Sequence, residues 1–303
     1  MKHVRADHAY RATLIVAASA LVLTLAGLAL VVGRMAWPAL SGGLWSFLTG
    51  TTWDPVTSEF GALPALYGTL LTSLIALVFA VPVSFGVALF LTEVAPRRLA
   101  DAIAPLVDLL AAIPSVIYGL WGIFVLAPLM REHVGPFLKA VLGWTPLFAG
   151  DPIGVGYLTA GVILAIMITP VVTSVAREVL EAVPGTQREA AIGLGATQWE
   201  VVRGAVFPAA RSGLLGAVVL GLGRALGETM AVTMVIGNRF DISASLFAPG
   251  YTLASVIANE FAEAFSPQYL SALAGLGMVL LGTTLLLNVG ARILVARVRA
   301  GST

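Results

Sequence analysis

Cysteine is absent from all 303 residues, which excludes a disulfide framework, a thiolate metal site and a thiol nucleophile. Lysine is nearly absent too. Lys2 and Lys139 stand alone, and neither follows the G-x-x-x-x-G run of a phosphate-gripping P-loop. Any energy from ATP must therefore arrive through another protein. Histidine is limited to His3, His8 and His133, scattered over segments expected in water. They support neither a metal site nor a proton relay, and no cofactor is expected. No His-Glu-x-x-His zinc pattern and no Gly-x-Ser-x-Gly elbow occurs, so an intramembrane enzyme lacks its machinery. Charge is scarce: 11% of residues are Asp, Glu, Lys or Arg, against about 25% in soluble domains. A formal net charge of +1 gives no grip on nucleic acid.

Long apolar runs are what the chain has in quantity. Six reach the 20 or so residues a helix needs to cross roughly 30 Å of hydrocarbon: 12–36, 69–92, 103–130, 155–177, 213–236 and 269–291. The fold expected is an all-α integral membrane protein of six spans, one membrane domain over 1–303. The first run could be a signal peptide, but it exceeds the usual 7–15-residue apolar region and reads better as a retained span. Pro114 and Pro170 predict local bends. Setting the N-terminus in the cytoplasm puts twelve of the seventeen bases inside and leaves Arg34, Arg131, Lys139 and Arg239 outside. That bias predicts both termini in the cytoplasm. Trp37, Trp45, Trp53 and Trp144 fall in outer segments, as an interfacial belt or a docking surface. Asp108 is expected near the inner end of the third run, as an interfacial or helix-paired carboxylate. Glu260 and Glu263 are expected in the last outer loop, solvated or touching a partner.

The most charged inner stretch is "REVLEAVPGTQREAAIGLGATQWEVVRGAVFPAARSG". Thr186 to Glu189 and Thr197 to Glu200 both match the capping-box spacing. Gly195 lies between them, where a helix C-cap wants positive φ. Pro208 should interrupt the second helix. "EAAIGLGATQWEVVRGAVFP" resembles the cytoplasmic signature of ABC-importer permeases, with Glu189, Ala190, Ala191, Gly195 and Pro208 at the expected offsets. Ala205 and Phe207 replace the more usual isoleucine and leucine. The resemblance implies that the 184–210 loop is a coupling element seated in a cleft of an ATPase subunit.

The fifth run contains "GLGRALGETMAV", with Arg224 and Glu228 deep inside it. Such a charge costs about 2.5–3.5 kcal/mol at a helix centre. On one unbroken helix the two would project about 40° apart, with Ala217, Gly221, Gly227 and Ala231 within about 60° of Arg224. Three readings stand: a structural salt bridge, helix packing through Gly223-x-x-x-Gly227, or a polar station on a transport route. A guanidinium fork matches an oxyanion, and a neighbouring carboxylate can accept a hydrogen bond from phosphate, which keeps a proton near neutral pH, but not from sulfate, which keeps none.

"FGALPALYGTLLTSLIAL" (60–77), "IPSVIYGLWGIFVLAP" (113–128) and "RALGETMAVTMVIGN" (224–238) resemble the permease subunit of phosphate-specific ABC importers, of the PstC type, over about 60–292. That resemblance implies the type I ABC-importer permease (MetI-like) fold in a bacterial inner membrane. It implies a sister permease of the PstA type, a cytoplasmic ATPase dimer (PstB type), a periplasmic binding protein (PstS type) and inorganic phosphate as cargo. It also implies Arg224 and Glu228 as pathway residues, and the helix-face reading adds Gly221 and Gly227, whose small size leaves room beside the charge. A permease for another oxyanion, such as phosphonate or molybdate, and a stand-alone anion channel or carrier remain the alternatives.

Overall fold

The computed structural model describes residues 2–300, with side chains from 10 to 297. Lys2, Arg5 and Arg299, three of the bases behind the predicted orientation, lie outside the described side chains, as do His3 and His8. Among the described residues the regular elements are helices apart from one small antiparallel hairpin, Trp53–Asp54 with Glu59–Phe60. Six helices are long and apolar enough to cross a membrane: Tyr10–Ser41, Leu63–Val94, Ser115–Leu142, Tyr157–Glu181, Gln198–Leu226 and Pro267–Arg297, spans one to six. The predicted all-α, six-span class is the one observed.

Two spans differ from the sequence reading. The third was expected at 103–130, but Pro114 sits in extended backbone (φ −58°, ψ 137°) and divides that run. The residues before it form a separate helix, Arg97–Ala111, and the span itself begins at Ser115. The fifth was expected at 213–236. It starts earlier, at Gln198, and stops at Leu226; Met230–Val235 is a separate short helix beyond a three-residue break. Hydropathy measures only how apolar a window is, so it runs through backbone breaks.

Prolines act by widening helices as well as by ending them. Wide, five-residue turns occupy Phe90–Val94, Gly122–Leu126, Met130–Val134 and Val202–Val206. Each is followed two residues later by a proline: Pro96, Pro128, Pro136 and Pro208. A proline cannot bond the carbonyl four residues back and its ring crowds that carbonyl. The residue before each proline instead donates five residues back, as Phe207 does to Val202. Pro208 therefore does not interrupt its helix as predicted; the helix passes through with one wide turn. Pro170 likewise lies inside an unbroken span four.

Span four is the buried axis. Span two approaches it closely at Gly161, where an added Cβ would stand 2.4 Å from Ile75 Cγ2. The buried Ser73 and Thr173 hydroxyls have no hydrogen-bond partner among the described residues, but others along these helices donate to nearby carbonyls: Thr69 to Ala65 at 2.8 Å, Thr169 to Ala165 at 2.7 Å, and Ser84 across to Thr169 at 3.1 Å. A segment without water must satisfy its polar groups in this way. Span one lies at the perimeter and leans on span six, where the Ala39 amide donates to Ser271 Oγ at 2.9 Å and Gly33 faces Met278. At the hairpin end, Trp53 packs against Phe60, Phe240 and Tyr269. In the hairpin turn, the Val56 amide and Thr57 hydroxyl donate to Asp54 and hold its carboxyl below the usual carboxylate range.

Candidate functional site

Gly221, one turn before Arg224, is buried against span four, with an added Cβ only 2.5 Å from Val172 Cγ2 and 3.8 Å from Ile168 Cδ1. Those two residues flank the middle of the 25-residue helix Tyr157–Glu181. Three residues further along, Arg224 stands about 5 Å from that level. It occupies the last turn of span five and is exposed on the surface of this chain. Among the described residues no carboxylate forms an ion pair with it. It does lie within electrostatic reach of Tyr118, at the start of span three.

Glu228 is not on the same helix face as Arg224. The helix stops at Leu226; Gly227 (φ −93°, ψ 0°) and Thr229 (φ −111°, ψ −64°) turn the chain away, so a per-residue angle cannot be carried across. Glu228 Oε1 instead accepts from the Ala231 amide at 3.2 Å, at the head of Met230–Val235. That short helix closes against the start of span four, where the Gly156 amide donates to the Val235 carbonyl at 3.0 Å. The break between the two helices thus lies within the span-four layer. Each charge suits its helix end: a cation at the C-terminal turn of span five, a carboxylate beside the N-terminus of the next helix. Gly221 serves the contact with span four, whereas Gly227 is exposed with only Gly223 O at 3.8 Å near its missing Cβ.

Leu220 and Gly216 precede Arg224 by one and two turns on the same stripe. They line a cleft of about 590 Å³ that is completed by Asn288 and Arg292 of span six. Sequence reasoning counted Arg292 only as an orienting base. No local spacing joins it to the Gly216–Leu220 stripe; the crossing of spans five and six does.

The charged loop forms the short helix Gly185–Gly193, a corner, and the start of span five. Gly195 has φ +86°, as the C-cap reading required. The capping box at Thr197 is present, with the Thr197 amide donating to Glu200 Oε2 at 2.8 Å and the Glu200 amide to Thr197 Oγ1 at 3.4 Å. The one expected at Thr186 is not: the helix begins at Gly185 behind Pro184, with no side-chain cap. Glu189, Ala190, Gly195 and Pro208 are exposed and Ala191 is half-buried. Large apolar groups stand out around them: Ile192, Trp199 and above all Leu194, 90% exposed. Arg188, unassigned by the sequence, reaches inward. It pairs with Glu93 of span two at 2.8 Å and donates to the Leu180 and Val183 carbonyls at 2.9 and 2.6 Å.

The remaining candidates are structural neighbours. Asp108 faces Arg177 of span four at 3.7 Å, the helix-paired alternative. Glu260 accepts from Trp53 Nε1 at 2.6 Å and from the Tyr269 hydroxyl, so its carboxylate serves the packing at the hairpin end. Trp37, Trp45 and Trp144 are exposed.

Residues 84–300 match the family described as binding-protein-dependent transport system inner membrane component. The chain is 48% identical to the phosphate transport system permease protein PstC of Mesorhizobium japonicum over 97% of its own length and 91% of the relative's. It is 49% identical to the protein of the same name from Haemophilus influenzae, over 90% and 87%. Among solved structures, a bacterial alginate ABC transporter in complex with its alginate-loaded periplasmic protein contains a chain of the same fold, with TM-score 0.61, 17% identity, and 98% of this chain and 97% of that one covered. An inward-facing MetNI methionine ABC transporter gives TM-score 0.58 at 17% identity, over 82% and 99%. The chain therefore belongs to the binding-protein-dependent transport system inner membrane components, in the branch whose curated members are called PstC.

Proposed function

We propose that this chain is the PstC-type permease subunit of an ATP-driven inorganic phosphate importer in a bacterial inner membrane, a single membrane domain forming half of the translocation pathway. The observation that carries the reading is Arg224, a cation at mid-span depth that is exposed on the lone chain and has no carboxylate partner among the described residues. Lipid cannot cover it without a large cost. A second permease subunit of the PstA type and a wet route between the two can, and an anion passing along that route would meet a permanently charged donor fork. The helix break beside it fits, because discontinuous helices mark substrate sites in transporters.

Both termini lie in the cytoplasm in this reading, on the side of the 184–210 loop. A PstB-type ATPase dimer grips that loop through Glu189, Ala190, Ala191 and Gly195, while Pro208 shapes the helix that leads away. A PstS-type binding protein delivers phosphate at the hairpin end. Closure of the ATPase moves the loop, and span five presents Arg224 first outward and then inward, toward the cleft at Arg292. Glu228 keeps one carboxylate oxygen free of the Ala231 amide, and that oxygen can accept a hydrogen bond from the P–OH of a protonated phosphate. The chain performs no covalent chemistry.

The test is ATP hydrolysis by the assembled complex in response to the phosphate-loaded binding protein. Arg224→Gln should lower both stimulation and uptake by about tenfold or more, with complex assembly unchanged. Wild-type uptake rates in the assembled Arg224→Gln complex would remove the route through span five. Stimulation by molybdate or a phosphonate in place of phosphate would reassign the cargo.

A further inference from the structure

Arg188 and Glu93 form the most heavily bonded ion pair among the described residues. The guanidinium Nη2 meets Glu93 Oε1 at 2.8 Å, and Nε reaches both carboxylate oxygens at 3.3 and 3.4 Å. Its other edge donates to the Leu180 carbonyl at 2.9 Å and the Val183 carbonyl at 2.6 Å. Glu93 is 9% exposed and Arg188 22%. Leu180 and Val183 bracket the C-terminus of span four, where helix carbonyls lack partners and a cation is favoured. Glu93 lies in the wide turn that ends span two. Its backbone carbonyl takes a further bond from Gln198, the first residue of span five.

Three spans and the short loop helix therefore meet at one pair. We infer that Arg188 and Glu93 are positioning residues for coupling: they lock the Gly185–Gly193 helix to the ends of spans two and four, so that a push on this helix moves the spans instead of bending the loop. The physical requirement is a stiff link. Helix Gly185–Gly193 has no buried residue of its own, so apolar packing alone holds it weakly. A planar fork bonded to a carboxylate and two carbonyls fixes position and direction together. A lysine at the same place would keep the charge and lose the fork. This inference rests on the coupling role proposed above for the loop.

Two measurements on the complete complex test it. In proteoliposomes, Arg188→Gln and Glu93→Gln should each leave ATP hydrolysis running while phosphate moved per ATP falls about tenfold, and the double variant should be no worse than either single one. Arg188→Lys should recover only part of the loss. The second measurement does not depend on the cargo. The chain has no cysteine, so Thr186→Cys and Val94→Cys supply a spin-label pair unique to it when the partner subunits are also cysteine-free. The distance between the labels should be the same with and without ATP, and should broaden in the Arg188→Gln background. A coupling ratio within about twofold of wild type in an assembled Arg188→Gln complex overturns the inference. So does a label distance that already shifts with ATP in the wild-type pair. A wild-type complex that hydrolyses ATP but ignores phosphate would instead defeat the proposed cargo, and the label distances would still decide the joint.

Discussion

At the residue scale, two glycines and two charges carry distinct burdens. Gly195 has φ +86° with nothing within 4 Å of its missing Cβ, so a substitution there is opposed by backbone conformation and not by a clash. A side chain in the left-handed region costs about 1–2 kcal/mol, least for asparagine. Uptake per ATP should accordingly fall in the order Gly, Asn, Ala, Val at this position, while the amount of chain in the membrane, read by immunoblot, stays constant. An order that followed side-chain volume would instead indicate contact with the ATPase surface. The opposite case is Gly221, whose φ is ordinary and whose missing Cβ is replaced by Val172. Arg224 and Glu228 were visible in the sequence as charges where charge is costly. Their relation was not, because a periodicity argument assumes an unbroken helix and Gly227 to Thr229 break it.

At the element scale, the packing of spans two and four depends on Gly161. Gly161→Val would drive a branched side chain into Ile75, and overpacking of this kind costs about 1–3 kcal/mol. The purified complex should unfold at lower temperature with Gly161→Val, and Ile75→Ala in the same chain should restore much of the loss. Additive losses would mean that the two side chains do not meet. Element existence was legible from the sequence: six apolar runs gave six spans, and the Thr197 capping box and the Gly195 corner fell where spacing put them. Element limits were less so. Pro114 ends one helix and begins another, Pro170 leaves its helix intact, and Pro208 widens a turn. Which of these a proline does depends on whether neighbouring helices hold the chain straight, and that is tertiary information. The Arg188–Glu93 pair was illegible for a related reason: its members are 95 residues apart and no local pattern links them.

At the scale of the whole molecule, the lone chain is an incomplete object. Span one leans chiefly on span six, and span five shows lipid or a partner a stripe that runs from Gly216 through Leu220 to Arg224. If that stripe faces a sister subunit and a wet route, stability and function should respond oppositely to one substitution. Arg224→Leu removes a charge whose placement at a helix centre costs about 2.5–3.5 kcal/mol on insertion scales. Expressed without its partners, the leucine variant should persist longer in the membrane than the wild-type chain in a pulse-chase measurement. Reassembled with the partners, the same variant should fail to import phosphate. A structural role for Arg224 inside this chain predicts something else: the variant would lose stability and transport together, and the lone wild-type chain would be the longer-lived of the two. The sign of the change in lifetime therefore separates a residue kept for the route from one kept for the fold.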